Sequence, residues 1–125
     1  MIDNVNHPAH YASKFRTKPI ECIDITRHLG FCVGNAFKYV WRAGDKGDDK
    51  KAVEDIEKAK FYLDDLMAKG INVVDETAQA VFDLIDDDGS ARYQALHYIV
   101  YGEFSDAWWV LDSMKADFRK GQNNG

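Results

Sequence analysis

The stretch Gly34-Asn35-Ala36-Phe37-Lys38-Tyr39-Val40-Trp41-Arg42-Ala43-Gly44-Asp45-Lys46 decides how the chain folds. Wound as a helix at about 100° per residue, it brings Asn35, Lys38 and Arg42 within roughly 60° of one another. The rest of its circumference, Cys32, Val33, Ala36, Phe37, Tyr39, Val40, Trp41 and Ala43, is apolar or aromatic. Such a helix needs neighbours on most sides and shows solvent one narrow strip, an amide followed by two cations. Gly44 suits the turn that ends it, where a residue without Cβ reverses the chain.

Beyond a polar turn, Gly44 to Asp48, lies the longest periodic segment, Asp49 to Lys69. Ala52, Ile56, Ala59, Leu63, Leu66 and Met67 form an apolar stripe of helical period, with Asp55 and Tyr62 at its edge. Glu54 and Lys58 are spaced as a favourable i,i+4 pair, and Gly70 ends the helix. Upstream, Thr17 and Pro19 fit the start of a helix from Pro19 to Leu29 that stops at Gly30. Cys22, Ile25 and Leu29 share its inner face, with Glu21, Asp24 and His28 on the flank. Residues 1–18 lack periodicity and read as an irregular arm.

The second half reads as smaller helices. Asp75 caps one to about Ile85, Ser90 another through Tyr101, and Ser105 the last, which buries Trp108, Leu111, Met114 and Phe118. Val73-Val74 is too short to insist on a strand. The fold class is therefore all-α, a compact bundle of five to six helices. Residues 1–70 form the motif-bearing core and its arm, 71–120 the helices that pack on that core or on a partner subunit, and 121–125 a fraying tail.

The 125-residue chain is large enough for one core. Its formal charge of −5 excludes a general nucleic-acid backbone binder but leaves room for a local basic pocket. No apolar run approaches the roughly 18 residues of a membrane span, and Met1-Ile2-Asp3-Asn4 shows no signal pattern. An intracellular protein is expected, with Cys22 and Cys32 as reduced thiols.

Asn35, Lys38 and Arg42 suit a nucleotide: arginine grips phosphate at two points, lysine adds a mobile charge, and an amide bonds a base edge or sugar. They equally suit a plain solvent strip. His7 and His10, around a proline with Tyr11 next, read either as a lid over a base or phosphate or as histidines bonded to backbone. A zinc set of these two with Cys22 and Cys32 is disfavoured by the absence of a close-spaced ligand pair. Glu21, Asp24 and Asp55 can hold Mg²⁺ beside phosphate oxygens, or serve as surface charge and as ion-pair partners of Lys38 and Arg42. Asp86-Asp87-Asp88-Gly89 lacks EF-hand spacing, and there is no phosphate-binding P-loop. Trp108-Trp109 cannot both face one core, which favours self-association.

Four blocks together resemble a small bacteriophage family long catalogued only as a domain of unknown function: His7-Pro8-Ala9-His10-Tyr11, Ile20-Glu21-Cys22-Ile23-Asp24, Gly34 to Gly44, and Asp55-Ile56-Glu57-Lys58-Ala59-Lys60-Phe61-Tyr62-Leu63. The resemblance spans about residues 5–67. The family includes a phage kinase of deoxynucleoside monophosphates, so the resemblance implies a nucleotide-handling, homo-oligomeric helical protein of the infected host cytoplasm. It puts His7, His10, Tyr11, Glu21, Asp24, Asn35, Lys38, Tyr39, Arg42 and Asp55 at motif positions, and Lys46 extends the cationic set. Four functions follow as expectations. They are a kinase without a P-loop, an inactive anti-defence protein that sequesters a host nucleotide signal, a Mg²⁺-dependent helical nucleoside triphosphate pyrophosphohydrolase, and a structural oligomer.

Overall fold

The computed structural model describes residues 19–45 and 48–124. Six helices follow in order: α1 (Cys22–Thr26), α2 (Phe31–Arg42), α3 (Asp49–Ala68), α4 (Glu76–Phe82), α5 (Ala91–Val100) and α6 (Phe104–Asn124). Among the described residues there is no strand, and the expected all-α bundle is what forms. No described helix is long and apolar enough to cross a membrane.

Three helices differ from expectation by more than one residue. The first helix begins only at Cys22, because Glu21 serves as its N-cap and donates its backbone N–H to the Asp24 carboxylate at 2.8 Å. It closes early in a tight turn, with His28 bonded to Ile25 and Leu29 to Thr26, and the Thr17 start lies outside the described residues. Helix α4 stops at Phe82 rather than Ile85. The acidic run beyond it prefers turns of its own, in which the Asp87 and Asp88 side chains accept the N–H groups of Gly89 and Ser90. Helix α6 starts at Phe104, with Ser105 inside it rather than capping it, and Ala107 bonds back to the Glu103 carbonyl. It runs to Asn124, past the point where fraying was expected, and the Asp49 carboxylate sits where a Cβ on Gly121 would lie.

Side-chain capping works as the sequence indicates at Asp75 and Ser90, whose oxygens accept the N–H groups of Ala78 and Tyr93. Asp48 does the same for α3 through Lys51. Helix α3 is central: α2 packs on one side of it and α6 on the other, while α5 joins α6 back to α2. Phe37, Phe82, Ile25, Ile56, Leu63, Leu66, Ile99 and Leu111 are fully buried in one cluster that draws on both halves of the chain. Phe37 and Phe82 meet edge to face at 6.2 Å, joining the two halves.

The end of α2 is held from the second half. Arg92 of α5 donates to the Trp41 and Ala43 carbonyls at 2.8 and 3.3 Å and pairs with Asp45. Gly44 then turns with φ of +84°, and the Phe118 ring lies 3.1 Å from where a Cβ would stand. A side chain there would meet both a strained backbone and an occupied space.

Candidate functional site: a cationic and aromatic wall between two helices

Two stripes of identical spacing face each other across the α2–α3 seam. Helix α2 contributes Phe31, Asn35, Lys38 and Arg42, and α3 contributes Lys51, Asp55, Lys58 and Tyr62, each set at i, i+4, i+7 and i+11. The helices run antiparallel, so Arg42 meets Asp55 at one end while Phe31 meets Tyr62 at the other.

At the cationic end Asp55 is 2 % exposed and holds two charges, the Arg42 guanidinium at 3.6 Å and the Lys51 ammonium at 3.3 Å. The buried carboxylate fixes cations whose side chains stay partly open to water. In the middle, Tyr39 has the Lys38 ammonium 4.6 Å from its ring centre, with Arg42 and Lys58 each at 5.4 Å. The ring's negative face draws these like charges together. Among the described residues neither Lys38 nor Lys58 enters an ion pair. Among the described residues these four cations thus have one carboxylate within ion-pair distance, on a chain whose net charge is −5. A wall of this sign on an acidic protein focuses anions to one place.

The aromatic end continues from Tyr39. Its ring is nearly parallel to that of Tyr62 at 6.3 Å, and Tyr62 meets Phe31 and Phe61 edge to face at 5.9 and 5.3 Å.

Of the residues expected to act together, Lys38, Tyr39, Arg42 and Asp55 do meet. For Asp55 the ion-pair reading describes what forms. Asn35 lies on the stripe, but its amide donates to the Phe31 carbonyl at 2.8 Å. Glu21 and Asp24 cap α1, and Asp24 also lies 3.7 Å from Arg27. Among the described residues no three His, Cys, Asp or Glu side chains gather to hold a metal ion, so Glu21, Asp24 and Asp55 do not form one chelating set. His7, His10, Tyr11 and Lys46 lie outside the described residues.

The thiols are spoken for. Burial pushes Cys22 up to about 11, with Lys38 pulling the other way, so it stays protonated near neutrality and is a poor nucleophile. Cys32 donates to the Asp65 carboxylate at 3.6 Å and is likewise raised, first by burial and then by that bond.

Phe31, Lys51 and Phe61 were missed by sequence reasoning, while Lys58 and Tyr62 were noticed in other roles. The available signal was the repeated spacing: Lys51-Asp55-Lys58-Tyr62 copies the periodicity of the α2 stripe on the next helix. Elsewhere, a cleft of about 240 Å³ between α4 and α5 is lined by Asp45, Asp86, Asp88 and Arg92 among others. Its acidic balance is the wrong sign for phosphate.

Clustered cations running into exposed aromatics on a small helical bundle make a surface whose charge suits an anion. Residues 5–64, which carry this wall, match the model of a family described as a protein of unknown function (DUF3310). The resemblance seen in the four sequence blocks is thereby borne out. Among curated relatives, the Gene 1.7 protein of Enterobacteria phage T3 is 36% identical over 63 residues, covering 47% of this chain and 39% of its own. The protein named Nucleotide kinase gp1.7 of Escherichia phage T7 is 35% identical over 65 residues, covering 49% of this chain and 33% of its own. The matches thus span 39% and 33% of these relatives' length. No solved structure matches the chain.

Proposed function

We propose that this protein binds a nucleotide by its phosphates on the α2–α3 wall and acts as a phage nucleoside monophosphate kinase without a P-loop. The observation that carries this reading is the gathering of Lys38, Arg42 and Lys58 around Tyr39, with Arg42 and Lys51 anchored by the buried Asp55. Similarity to a phage protein named a nucleotide kinase supports the choice of reaction. In such a transfer a phosphate oxygen of the monophosphate forms a bond to the terminal phosphorus of a triphosphate. The bridging P–O bond of the donor breaks, and two diphosphates leave. The protein's part is to position the two nucleotides and spread positive charge over the transferring group, work that Lys38, Arg42 and Lys58 are equipped to do.

Mg²⁺ supplies further charge neutralisation when it accompanies phosphates, but the carboxylates on this wall offer it no cage of their own. A homo-oligomer also belongs to this reading, since Trp109 is 64% exposed beside Trp108.

The test is incubation with a panel of nucleoside monophosphates, ATP and Mg²⁺, assaying both phosphorylated product and retained ligand. New diphosphate supports the kinase. Tight retention of unchanged nucleotide removes the reaction and leaves binding, the behaviour of a sequestering protein. Lys38→Ala and Arg42→Ala should each weaken binding at least about tenfold, the scale of one charge-assisted hydrogen bond. Unchanged affinity in both overturns the wall.

A further inference from the structure

Two phenylalanines stand in water beside the wall. Phe31 is 75% exposed and Phe61 66%, yet both rings pack edge to face on the half-buried Tyr62. Scattered single apolar residues are ordinary on a surface. Two that converge on a third ring, at the end of a cationic stripe, form a patch with a direction. Phe31 is the first residue of the same α2 stripe that carries Lys38 and Arg42. Seven residues of helical rise separate Phe31 from Lys38, about 10 Å along the axis. That is the scale on which a base stands from the outer phosphates of its own nucleotide.

We infer that Phe31 and Phe61, backed by Tyr62, form the platform on which the base of the bound nucleotide stacks, fixing its orientation with the base at the N-terminus of α2 and the phosphates toward Arg42. This rests on the nucleotide reading above and deepens it. Phenylalanine rings carry no hydrogen-bonding group, so the platform reads the π-face of a base rather than its edge. It should accept several bases and favour purines, whose stacking area is larger. The charge of the neighbouring wall selects the occupant: an apolar partner would strand Lys38 and Lys58, whereas a nucleotide satisfies both ends at once.

Isothermal titration of the full chain with AMP, dTMP, ATP, dTTP and inorganic tripolyphosphate, the last a ligand without a base, tests the platform. Phe31→Ala, Phe61→Ala and the double variant should retain the wild-type melting temperature, since both rings are mostly exposed. The double variant should bind nucleotides roughly five- to a hundredfold more weakly, as expected for the loss of base stacking, with tripolyphosphate unchanged. Lys38→Ala should weaken every ligand.

Nucleotide binding that depends on Lys38 but is indifferent to both phenylalanines overturns the platform and leaves the wall intact. Dissociation of an oligomer in the double variant, without a base-dependent change in affinity, assigns the patch to a second copy of the chain and also overturns it. Failure of every ligand to bind overturns wall and platform together.

Discussion

Lys58 and Lys60 stand two residues apart on α3, each over an aromatic ring, and their circumstances are opposite. On the α6 side, the Lys60 ammonium lies 3.8 Å from the centre of the Trp108 ring and 2.8 Å from Asp112, with its side chain 10% exposed. Glu57 adds partners there for Lys115 at 3.8 Å and Arg119 at 3.6 Å. Lys60, Lys115 and Arg119 on that seam each have a carboxylate partner within the molecule. On the α2 side, Lys58 shares Tyr39 with Lys38 and Arg42, and among the described residues the only carboxylate within ion-pair distance of these cations is Asp55, already held by Arg42 and Lys51. A cation over a ring is a structural device when its charge is closed locally. Left with surplus charge, the same device holds something the chain does not itself supply.

The strongest blow to this contrast is delivered through the helix both seams share. Leu63 is fully buried between them, and Leu63→Ala should lower unfolding stability by about 2–5 kcal/mol, read by urea denaturation. Nucleotide affinity should fall in the same variant, because the α2–α3 seam loses its fixed register. Full affinity in a destabilised protein would show that the wall does not depend on the core beneath it.

Next in size is a paired exchange. Lys60→Ala should cost about 1–2 kcal/mol through lost ring contact and stem packing, lowering Tm by a few degrees with nucleotide affinity unchanged. Lys58→Ala should do the reverse, keeping Tm and weakening nucleotide binding several-fold. If the two variants trade these outcomes, the functional and structural seams have been assigned the wrong way round.

The smallest effect is in acid. The Asp112 carboxyl is held below the usual carboxylate range, first by its hydrogen bond from Lys60 and then by that charge. A depressed folded value means stability that is present above the unfolded carboxylate range near pH 4 and lost as pH falls through the lowered folded value. Melting curves of the wild type and Asp112→Asn should therefore differ at neutral pH and converge in strong acid. A gap that persists there would mean the Lys60–Asp112 pair is not what titrates.

The number of helices, their glycine stops at 44 and 70, and the caps at Asp75 and Ser90 were legible because each rests on local chemistry. The apolar stripe of α3 was legible for the same reason, except at Met67, which was read into the stripe and is exposed. What escaped was whatever depends on a neighbour. The α2 strip looked like a solvent face because periodicity reports which residues share a side and is silent on what stands across from it. Only the antiparallel packing of α3 puts Lys51 and Lys58 beside Arg42 and Tyr39. Asp55 reads in sequence as a metal ligand or an ion-pair partner with equal ease, and its burial between two cations is a tertiary fact. Phe31 and Phe61 escaped because an exposed phenylalanine on a helix is indistinguishable, in sequence, from one turned inward.

The turn at the end of α2 has a consequence for how this wall can be moved between proteins. Its two closures, Arg92 on the Trp41 and Ala43 carbonyls and the Phe118 ring over Gly44, come from beyond the segment shared with the phage relatives. The shared segment is therefore a part that needs a fitting. Transplanted alone, it would leave two peptide oxygens seeking donors and a glycine turn open to water, at the very end where Arg42 is aimed. A longer relative carrying the same segment must bring its own donor and its own apolar plug to that turn, from whatever sequence follows. Searching such proteins for a guanidinium and a ring at that spot would find the equivalent of this chain's second half even where no residue aligns.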